Sequence, residues 1–166
     1  MEKLSWTAVR RGPIYCAPAC GAGCTAKAYL EAKVASATLV ALGTATVYTP
    51  RTSGRVLVLM SAIAANGTTT DGMTYNLYYG TGAAPANNDA VSGTAICSLQ
   101  TITSLVMNEL STSVSLQGIV ANLVADKINS LGQTVAGTAY WFDVMFSYVT
   151  GGTVTFTDVN MSVIEF

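Results

Sequence analysis

The stretch that decides the fold is GTAYWFDVMFSYVTGGTVTFTDVNMSVIEF, Gly137–Phe166. It predicts two apolar-rich strands on either side of a Gly151-Gly152 turn, because paired glycines supply the backbone freedom that tight turns need. A final strand this apolar is expected to be covered, either by its own sheet or by a partner chain. The stretch therefore favours a β-sandwich that assembles over an enzyme with a cleft.

The apolar residues of the second strand change phase part-way along it. Such a slip in a period of two predicts a β-bulge, here near Asp158. We expect the apolar side chains of this strand to be largely buried, because an exposed apolar strand invites edge-to-edge aggregation. The residues concerned are Val154, Phe156, Met161, Val163 and Phe166.

The first strand carries apolar side chains on both of its faces. Trp141 and Met145 point to one face and Phe142 and Phe146 to the other, so both faces are expected to be covered. The cover on the second face is either another layer of the same chain or a subunit, and the composition favours the subunit. The predicted interface residues of the body are Trp141, Phe156, Met161, Val163 and Phe166.

The rest of the body repeats this pattern of short strands and turns. Gly54–Gly67, Met73–Gly82 and Ser111–Leu123 predict strands, Gly80–Gly93 predicts a loop rich in Gly, Pro and Asn, and Leu131–Gly137 predicts a turn. About seven or eight strands with regular turn signals indicate an all-β fold, an antiparallel β-sandwich that is either jelly-roll-like or Ig-like.

The first 33 residues differ from the body. Pro13, Pro18 and several glycines make the beginning irregular, and a short helix is predicted near Thr25–Ala35. The chain is accordingly divided into an N-terminal arm, 1–33, and a β-sandwich assembly domain, 34–166.

The composition points to contacts between chains. Hydrophobic residues make up 51% of the 166 residues and charged residues only 10%, whereas about 25% charged is usual. Much of the surface is therefore expected to lie in contacts or to carry Thr, Ser, Asn and Gly. Uncharged runs are broken by polar residues, Gly and Pro, so we expect no membrane insertion.

Charge is divided unevenly between arm and body. The arm has five basic and two acidic residues, while the body has three basic and seven acidic ones. Either the arm docks on an acidic partner surface, with Arg10 and Arg11 as contacts, or the difference is scatter among few charges. The basic residues are too sparse for nucleic-acid binding, which is not expected.

The chain contains no histidine, which excludes Ser-His-Asp and Cys-His catalysis and histidine-ligated metal sites. Its carboxylates mostly stand beside turn residues, as at Asp71, Asp89 and Asp158, where turn chemistry explains them. A glycosidase-like pair of carboxylates distant in sequence stays open as an alternative. We predict that the protein is not an enzyme and needs no cofactor.

Three cysteines in the arm, Cys16, Cys20 and Cys24, form a C-x3-C-x3-C pattern. They are weak candidates for a metal site, since structural zinc sites use a C-x2-C spacing. Disulfide bonding and plain tolerated thiols are the alternatives. Cys97 stands in an apolar strand and is interpreted as a core residue.

Three segments carry a resemblance: PRTSGRVLVLMSA (Pro50–Ala62), MTYNLYYGTGAAPANNDAVSGTA (Met73–Ala95) and Gly137–Phe166. In their order along the chain and in their residue pattern they resemble sandwich modules of tailed-bacteriophage virion proteins, with a TNF/C1q-like jelly-roll. This resemblance implies assembly as a trimer and a role in capsid decoration, head fibres or tail fibres.

These expectations combine into a structural protein of a bacteriophage particle. It would be a trimeric capsid decoration protein anchored by its arm, with itself and the major capsid protein or another virion protein as partners. Its expected location is the virion, assembled in the host cytoplasm. The alternative is a receptor- or glycan-binding module, which the loop Gly80–Gly93 disfavours because it contains no aromatic residue.

Overall fold

The computed structural model describes residues 24–27, 32–34, 38–67, 71–103 and 112–166. These ranges contain strands and no helix, so nothing in them is a helix able to cross a bilayer. The strands are β1 (Cys24–Lys27), β2 (Ala32–Val34), β3 (Val40–Ala41), β4 (Thr46–Tyr48), β5 (Val56–Asn66), β6 (Met73–Thr81), β7 (Thr94–Ala95), β8 (Gln100–Ile102), β9 (Thr112–Val120), β10 (Lys127–Ile128), β11 (Thr134–Val135), β12 (Tyr140–Tyr148) and β13 (Val154–Glu165).

Two sheets form the sandwich. Sheet A has the order β1–β13–β5–β9. Strand β2 pairs with the first half of β13, on the same side as β1, which pairs with the second half. Sheet B has the order β3–β12–β6–β7, with β4 pairing with β12 and β8 with β6. All of these pairings are antiparallel. Strands β10 and β11 form a separate hairpin.

Three strand positions are each shared by two short strands, which gives eight positions in total. Numbered in chain order, the positions are β1 with β2, β3 with β4, β5, β6, β7 with β8, β9, β12 and β13. Side by side, sheet A contains positions 1, 8, 3 and 6, and sheet B contains positions 2, 7, 4 and 5. This is a ribbon of paired strands rolled up on itself, the eight-stranded jelly-roll. The predicted all-β, jelly-roll-like sandwich is confirmed.

The core lies where β12 of sheet B faces β13 of sheet A. Phe142, Val144 and Phe146 are fully buried on the inner face of β12. The ring of Phe146 meets that of Phe156 on β13 edge to face, with centroids 4.8 Å apart, an arrangement that aromatic pairs favour. This contact joins the two sheets.

The predicted bulge is present in β13. Its register with β5 shifts between Thr157 and Asn160, and Asp158 has a φ of 50°. Because of the bulge, Phe156 before it and Val159, Met161 and Val163 after it all face the core. The prediction of burial is confirmed for Val154, Phe156, Met161 and Val163, and it is wrong for Phe166, which is 54% exposed.

The second face of β12 is covered by the same chain. Trp141 and Met145 pack with Ala41 and with Leu39, Ala45 and Tyr78. Gly93 lies against the Trp141 ring with a φ of 77°, and a Cβ there would come within 2.6 Å of that ring. The cover is therefore a second layer of this chain, and the subunit favoured by composition is not what buries Trp141.

The helix predicted near Thr25–Ala35 is wrong where the structure describes it. Residues 24–27 and 32–34 are strands paired with β13. Hydrogen bonding to a long neighbouring strand outweighs the weak helix preference of alanine-rich sequence. Part of the sequence assigned to the arm therefore belongs to sheet A.

Replacing Phe156 with alanine should lower the free energy of unfolding by about 3–5 kcal/mol, because it removes a buried ring from the contact between the sheets. Urea denaturation followed by circular dichroism measures this. Phe166→Ala is the matched control, with an expected loss below about 1 kcal/mol because that ring is exposed. Equal losses in the two variants would contradict the role given to Phe156.

Candidate assembly interface

The part of the outer face of sheet A that β5, β9 and β13 form is almost uncharged. Along β5, β9 and β13 the inward side chains alternate with outward ones, which are aliphatic, hydroxylated or amide. The outward residues are Leu57, Leu59, Ser61, Ile63, Ala65, Ser113, Ser115, Gln117, Ile119, Thr155, Thr157, Asn160, Ser162 and Ile164. Among the side chains that the structure describes on this face, Asp158 is the single charge.

Asp158 owes its position to the bulge. The extra residue makes Thr157 and Asp158 both point away from the core, and Asp158 is exposed. A positive φ is uncommon for a residue with a side chain, although aspartate tolerates it better than most. Bulges often re-aim a side chain beside a functional site, so this carboxylate is a candidate contact.

Exposed large apolar side chains are concentrated at one end of the sandwich. This end, called the loop end, is where β5 and β12 begin and β9 and β13 finish. Seven of the ten exposed large hydrophobic residues described lie there: Val47, Ile119, Val124, Ile128, Leu131, Val135 and Phe166. Exposed apolar clusters of this kind mark interaction sites.

The hairpin of β10 and β11 supplies the most exposed of these side chains. Leu131 is 79% exposed, Ile128 68% and Val135 51%. The hairpin is nonetheless well ordered by Asn129, whose carboxamide oxygen accepts from the N–H groups of Leu131, at 3.0 Å, and Gln133, at 2.9 Å. A small ribbon that displays apolar side chains on a rigid turn is suited to docking.

The base of the hairpin is fixed to the loop end. The Asp126 N–H donates to the carbonyl of Pro50 at 3.0 Å, and its carboxylate lies 3.5 Å from the Arg51 guanidinium. The same carboxylate accepts from the Gly137 N–H at 2.8 Å. These contacts hold the hairpin in one place relative to the sandwich.

Three buried carboxylates accept hydrogen bonds from the backbone of the connections between strands. The first of them is Glu165. Its oxygens accept from four consecutive backbone N–H groups, those of residues 51–54, at 2.7–3.0 Å, and from the Tyr48 hydroxyl at 3.0 Å. Burial acts to raise the pKa of Glu165, but the four N–H donors outweigh it and lower the pKa from 4.5 to about 2. Glu165 is thus an ionised anchor for the loop at residues 50–54.

Asp71 plays the same part at the opposite end. It accepts from the N–H groups of Gly72 and Thr150, each at 2.8 Å, from the Thr150 hydroxyl at 2.9 Å and from the Gly151 N–H. Burial favours a raised pKa, and these donors lower the pKa of Asp71 below its usual value. The Asp71-Gly72 signal therefore marks an anchor for the turn between β12 and β13.

Asp143 lies fully buried in the middle of β12, under the connection between β3 and β4. It accepts from the Gly43 N–H at 2.9 Å, from the Thr44 N–H at 3.3 Å and hydroxyl at 3.2 Å, and from the Val144 N–H at 2.8 Å. Burial is the largest influence and raises its pKa from 3.8 to about 6, although these donors act to lower it. Asp143 holds the connection that covers β12.

The structure does not bring the predicted interface residues together on a surface. Trp141, Phe156, Met161 and Val163 are buried inside the chain. Phe166 is exposed at the loop end, with the Arg55 guanidinium 5.0 Å from its ring centroid. Arg10 and Arg11 lie outside the described residues.

The structure describes two of the four cysteines, Cys24 and Cys97. Cys16 and Cys20 lie outside the described residues, and Cys24 begins β1. Within the described ranges no group of three or more Cys, Asp or Glu is placed to hold a metal ion. Cys97, interpreted as core, is half-buried against the core and donates to the Asn76 carboxamide oxygen at 2.8 Å.

Sequence reasoning missed the role of Glu165, for which the sequence contains a signal, and the hairpin, for which it contains none. The inward phase of Met161 and Val163 continues to Glu165, which makes Phe166 point outward. The segment around Leu131 was interpreted as a turn, and its turn residues gave no indication that Ile128 and Val135 stand out from the body. Asp143, a carboxylate between apolar neighbours in mid-strand, was a visible sign of a buried anchor.

Comparisons with known proteins agree with this fold. No protein-family model matches the chain, and no curated protein matches its sequence. Among solved structures, it is similar to a chain in the structure of the infectious bursal disease virus Gx strain, with 8% identity and a TM-score of 0.50 over 86% of this chain. The Gt strain gives 7% identity and a TM-score of 0.49 over 86%, and the VP2 subviral particle of that virus 7% and 0.47 over 86%.

The likeness to these virus structures is one of fold. The chain spans about a third of their length, since the overlap covers 32%, 33% and 32% of the three chains. The jelly-roll body is therefore similar to a part of a viral chain.

Glu165→Gln should lower the free energy of unfolding above pH 4.5 and should make that free energy depend less on pH between 4.5 and 2. The folded-state pKa of about 2 lies below the usual 4.5, so the ionised carboxylate contributes roughly 3 kcal/mol above pH 4.5, and this is lost as pH falls toward 2. Urea unfolding across that range measures the loss. A loss of stability between pH 4.5 and 2 that is the same in Glu165→Gln and in the wild type would refute the anchor.

Asp143→Asn should show the opposite pH dependence. The folded-state pKa of about 6 lies above 3.8, so the wild type loses roughly 3 kcal/mol of stability as pH rises from below 3.8 to above 6. Asparagine does not titrate, so the stability of the variant relative to the wild type should rise over this interval. Parallel urea titrations at the two pH limits measure it, and a constant difference would count against the raised pKa.

Proposed function

We propose that this chain is a structural protein of a virus particle, and that its jelly-roll body assembles with further copies of itself. Support comes first from the eight-position topology and its likeness to a chain of the infectious bursal disease virus Gx strain. A jelly-roll by itself hosts many functions, so the argument depends on the surface.

The observation that carries the proposal is the outer face of sheet A. Across β5, β9 and β13 the described side chains are aliphatic, hydroxyl or amide, with Asp158 as the lone charge. Monomeric domains keep themselves apart with mixed surface charge, whereas the centre of an interface is depleted in charge. A neutral sheet face beside an apolar loop end is what an assembling subunit requires.

The finer form of the proposal is a trimeric capsid decoration protein of a bacteriophage. The resemblance of Pro50–Ala62, Met73–Ala95 and Gly137–Phe166 to phage sandwich modules supports it. In this proposal the basic N-terminal arm anchors the trimer to the major capsid protein or another virion protein. The protein acts in the virion after assembly in the host cytoplasm.

We further propose that the protein has no enzymatic activity. The carboxylates of Glu165, Asp71 and Asp143 are engaged by backbone N–H groups that hold loops in place. A catalytic acid or base must be free to meet a substrate. We therefore assign these three carboxylates a structural role.

The alternative is a receptor- or glycan-binding module. A cleft of about 490 Å³ lies beside the loop that follows β6, between Thr81, Ser92 and Thr94 and the aromatic residues Tyr79 and Trp141. Its aromatic floor is mostly covered, since Trp141 is only 3% exposed, and this favours the structural role. Calorimetric binding of an oligosaccharide that is lost in Thr94→Trp would favour the alternative.

The purified full chain should form a stable trimer. Size-exclusion chromatography with light scattering should give a mass three times the 17.2 kDa of one chain, because the neutral face and the loop end are both buried on association. The mass should hold as the protein is diluted through the micromolar range. A monomer at every concentration would contradict self-assembly.

A further inference from the structure

We propose that the hairpin of β10 and β11 of one copy docks on the outer face of sheet A of a second copy, with Lys127 meeting Asp158. This inference rests on the proposed function, because it names the contact through which the copies assemble. Both halves of the contact are present in every chain.

The receiving half is a groove of about 330 Å³ on the outer face of sheet A. Asp158 lies at one side of it, and Ser61, Ile63, Ser113 and Asn160 contribute to its lining. Ile63 pairs across the strands with Thr157, the neighbour of Asp158, so an aliphatic side chain and a carboxylate stand side by side. No described residue forms an ion pair with Asp158.

The inserting half, the hairpin of β10 and β11, carries an aliphatic side chain and a cation that complement those of the groove. Lys127 and Val135 are directly opposite each other in the hairpin, so they share one face of the ribbon, with side chains about 5 Å apart. Both are exposed, and no described residue pairs with the Lys127 ammonium. The ribbon therefore presents an aliphatic group and a cation to match the aliphatic group and the anion of the groove.

A chain cannot place its own hairpin in its own groove. The hairpin is fixed at the loop end through Asp126, Arg51 and Pro50. Asp158 lies about six residues along sheet A from that end, roughly 20 Å away. The occupant is therefore the hairpin of another copy, and such a head-to-side contact is heterologous, so that it closes into a ring when the rotation allows.

A charge exchange tests the contact in the full chain. Lys127→Glu and Asp158→Asn should each weaken association roughly tenfold or more, the size of effect seen for close charge pairs at interfaces. The double variant Lys127→Glu with Asp158→Lys should associate roughly threefold or more tightly than Lys127→Glu alone, because the exchange restores the charge pair, although lysine fits the positive φ of residue 158 less well than aspartate. Sedimentation velocity over a dilution series gives each dissociation constant.

Two controls separate a broken contact from a damaged fold. Asp158→Asn retains a residue that tolerates the positive φ of the bulge, and its far-ultraviolet circular dichroism spectrum should match that of the wild type. Lys127→Glu combined with Asp89→Lys, at an exposed loop carboxylate, should show no recovery. Leu131→Ser should weaken association, and Val149→Ser, at the opposite end of the sandwich, should not.

The outcomes distinguish this inference from the proposed function. If the wild type associates and the exchange rescues it, the contact is established. If the wild type associates but the single variants do too, or the exchange fails to rescue, the hairpin contact is overturned while self-assembly stands. If the wild type stays monomeric at every concentration, self-assembly fails and the contact fails with it.

Discussion

The packing of β12 against β13 is the constraint on which the rest of the structure depends. The two strands follow each other in the chain but lie in opposite sheets, so the turn at residues 149–153 and the contact between Phe146 and Phe156 hold the sandwich closed. Every other strand of the two sheets pairs with one of them directly or through a single neighbour, and only the hairpin of β10 and β11 lies outside this arrangement among the described strands. Because β13 is central in sheet A, its burial does not depend on a partner chain.

Buried carboxylates complete what the apolar core begins. An apolar core fixes the distance between sheets but leaves the N–H groups of the connecting loops without partners, and unpaired buried N–H groups are costly. Glu165, Asp71 and Asp143 accept those hydrogen bonds at one end, at the other end and over the outer face of β12. Their pKa values diverge because Glu165 is surrounded by enough N–H donors to outweigh burial, whereas for Asp143 burial prevails.

Glu165 points inward from β13, and Asp158 is the single charge on the outward positions of β5, β9 and β13. The outward positions of these strands are filled by serine, threonine and aliphatic residues, which neither repel another copy nor hold a strong shell of water. In the proposed contact the pair Lys127 and Asp158 would set the register, because the outward positions of β5, β9 and β13 carry no other charge. Low overall charge, which is unfavourable for a monomer, is favourable for a subunit.

The sequence alone determined the fold class, the strong final strands and the bulge near Asp158, because a period of two and a slip in that period are local properties of the backbone. It did not determine the fate of Thr25–Ala35, whose local preference for a helix yields to pairing with β13, a strand more than 120 residues away. Nor did it show that the second face of β12 is covered by residues 39–45 of the same chain. For the candidate site, the sequence placed Asp158 at a bulge but not on a neutral face, and it placed a turn near Leu131 but not a protruding apolar hairpin. Those properties depend on which segments meet in space, and only the tertiary structure decides that.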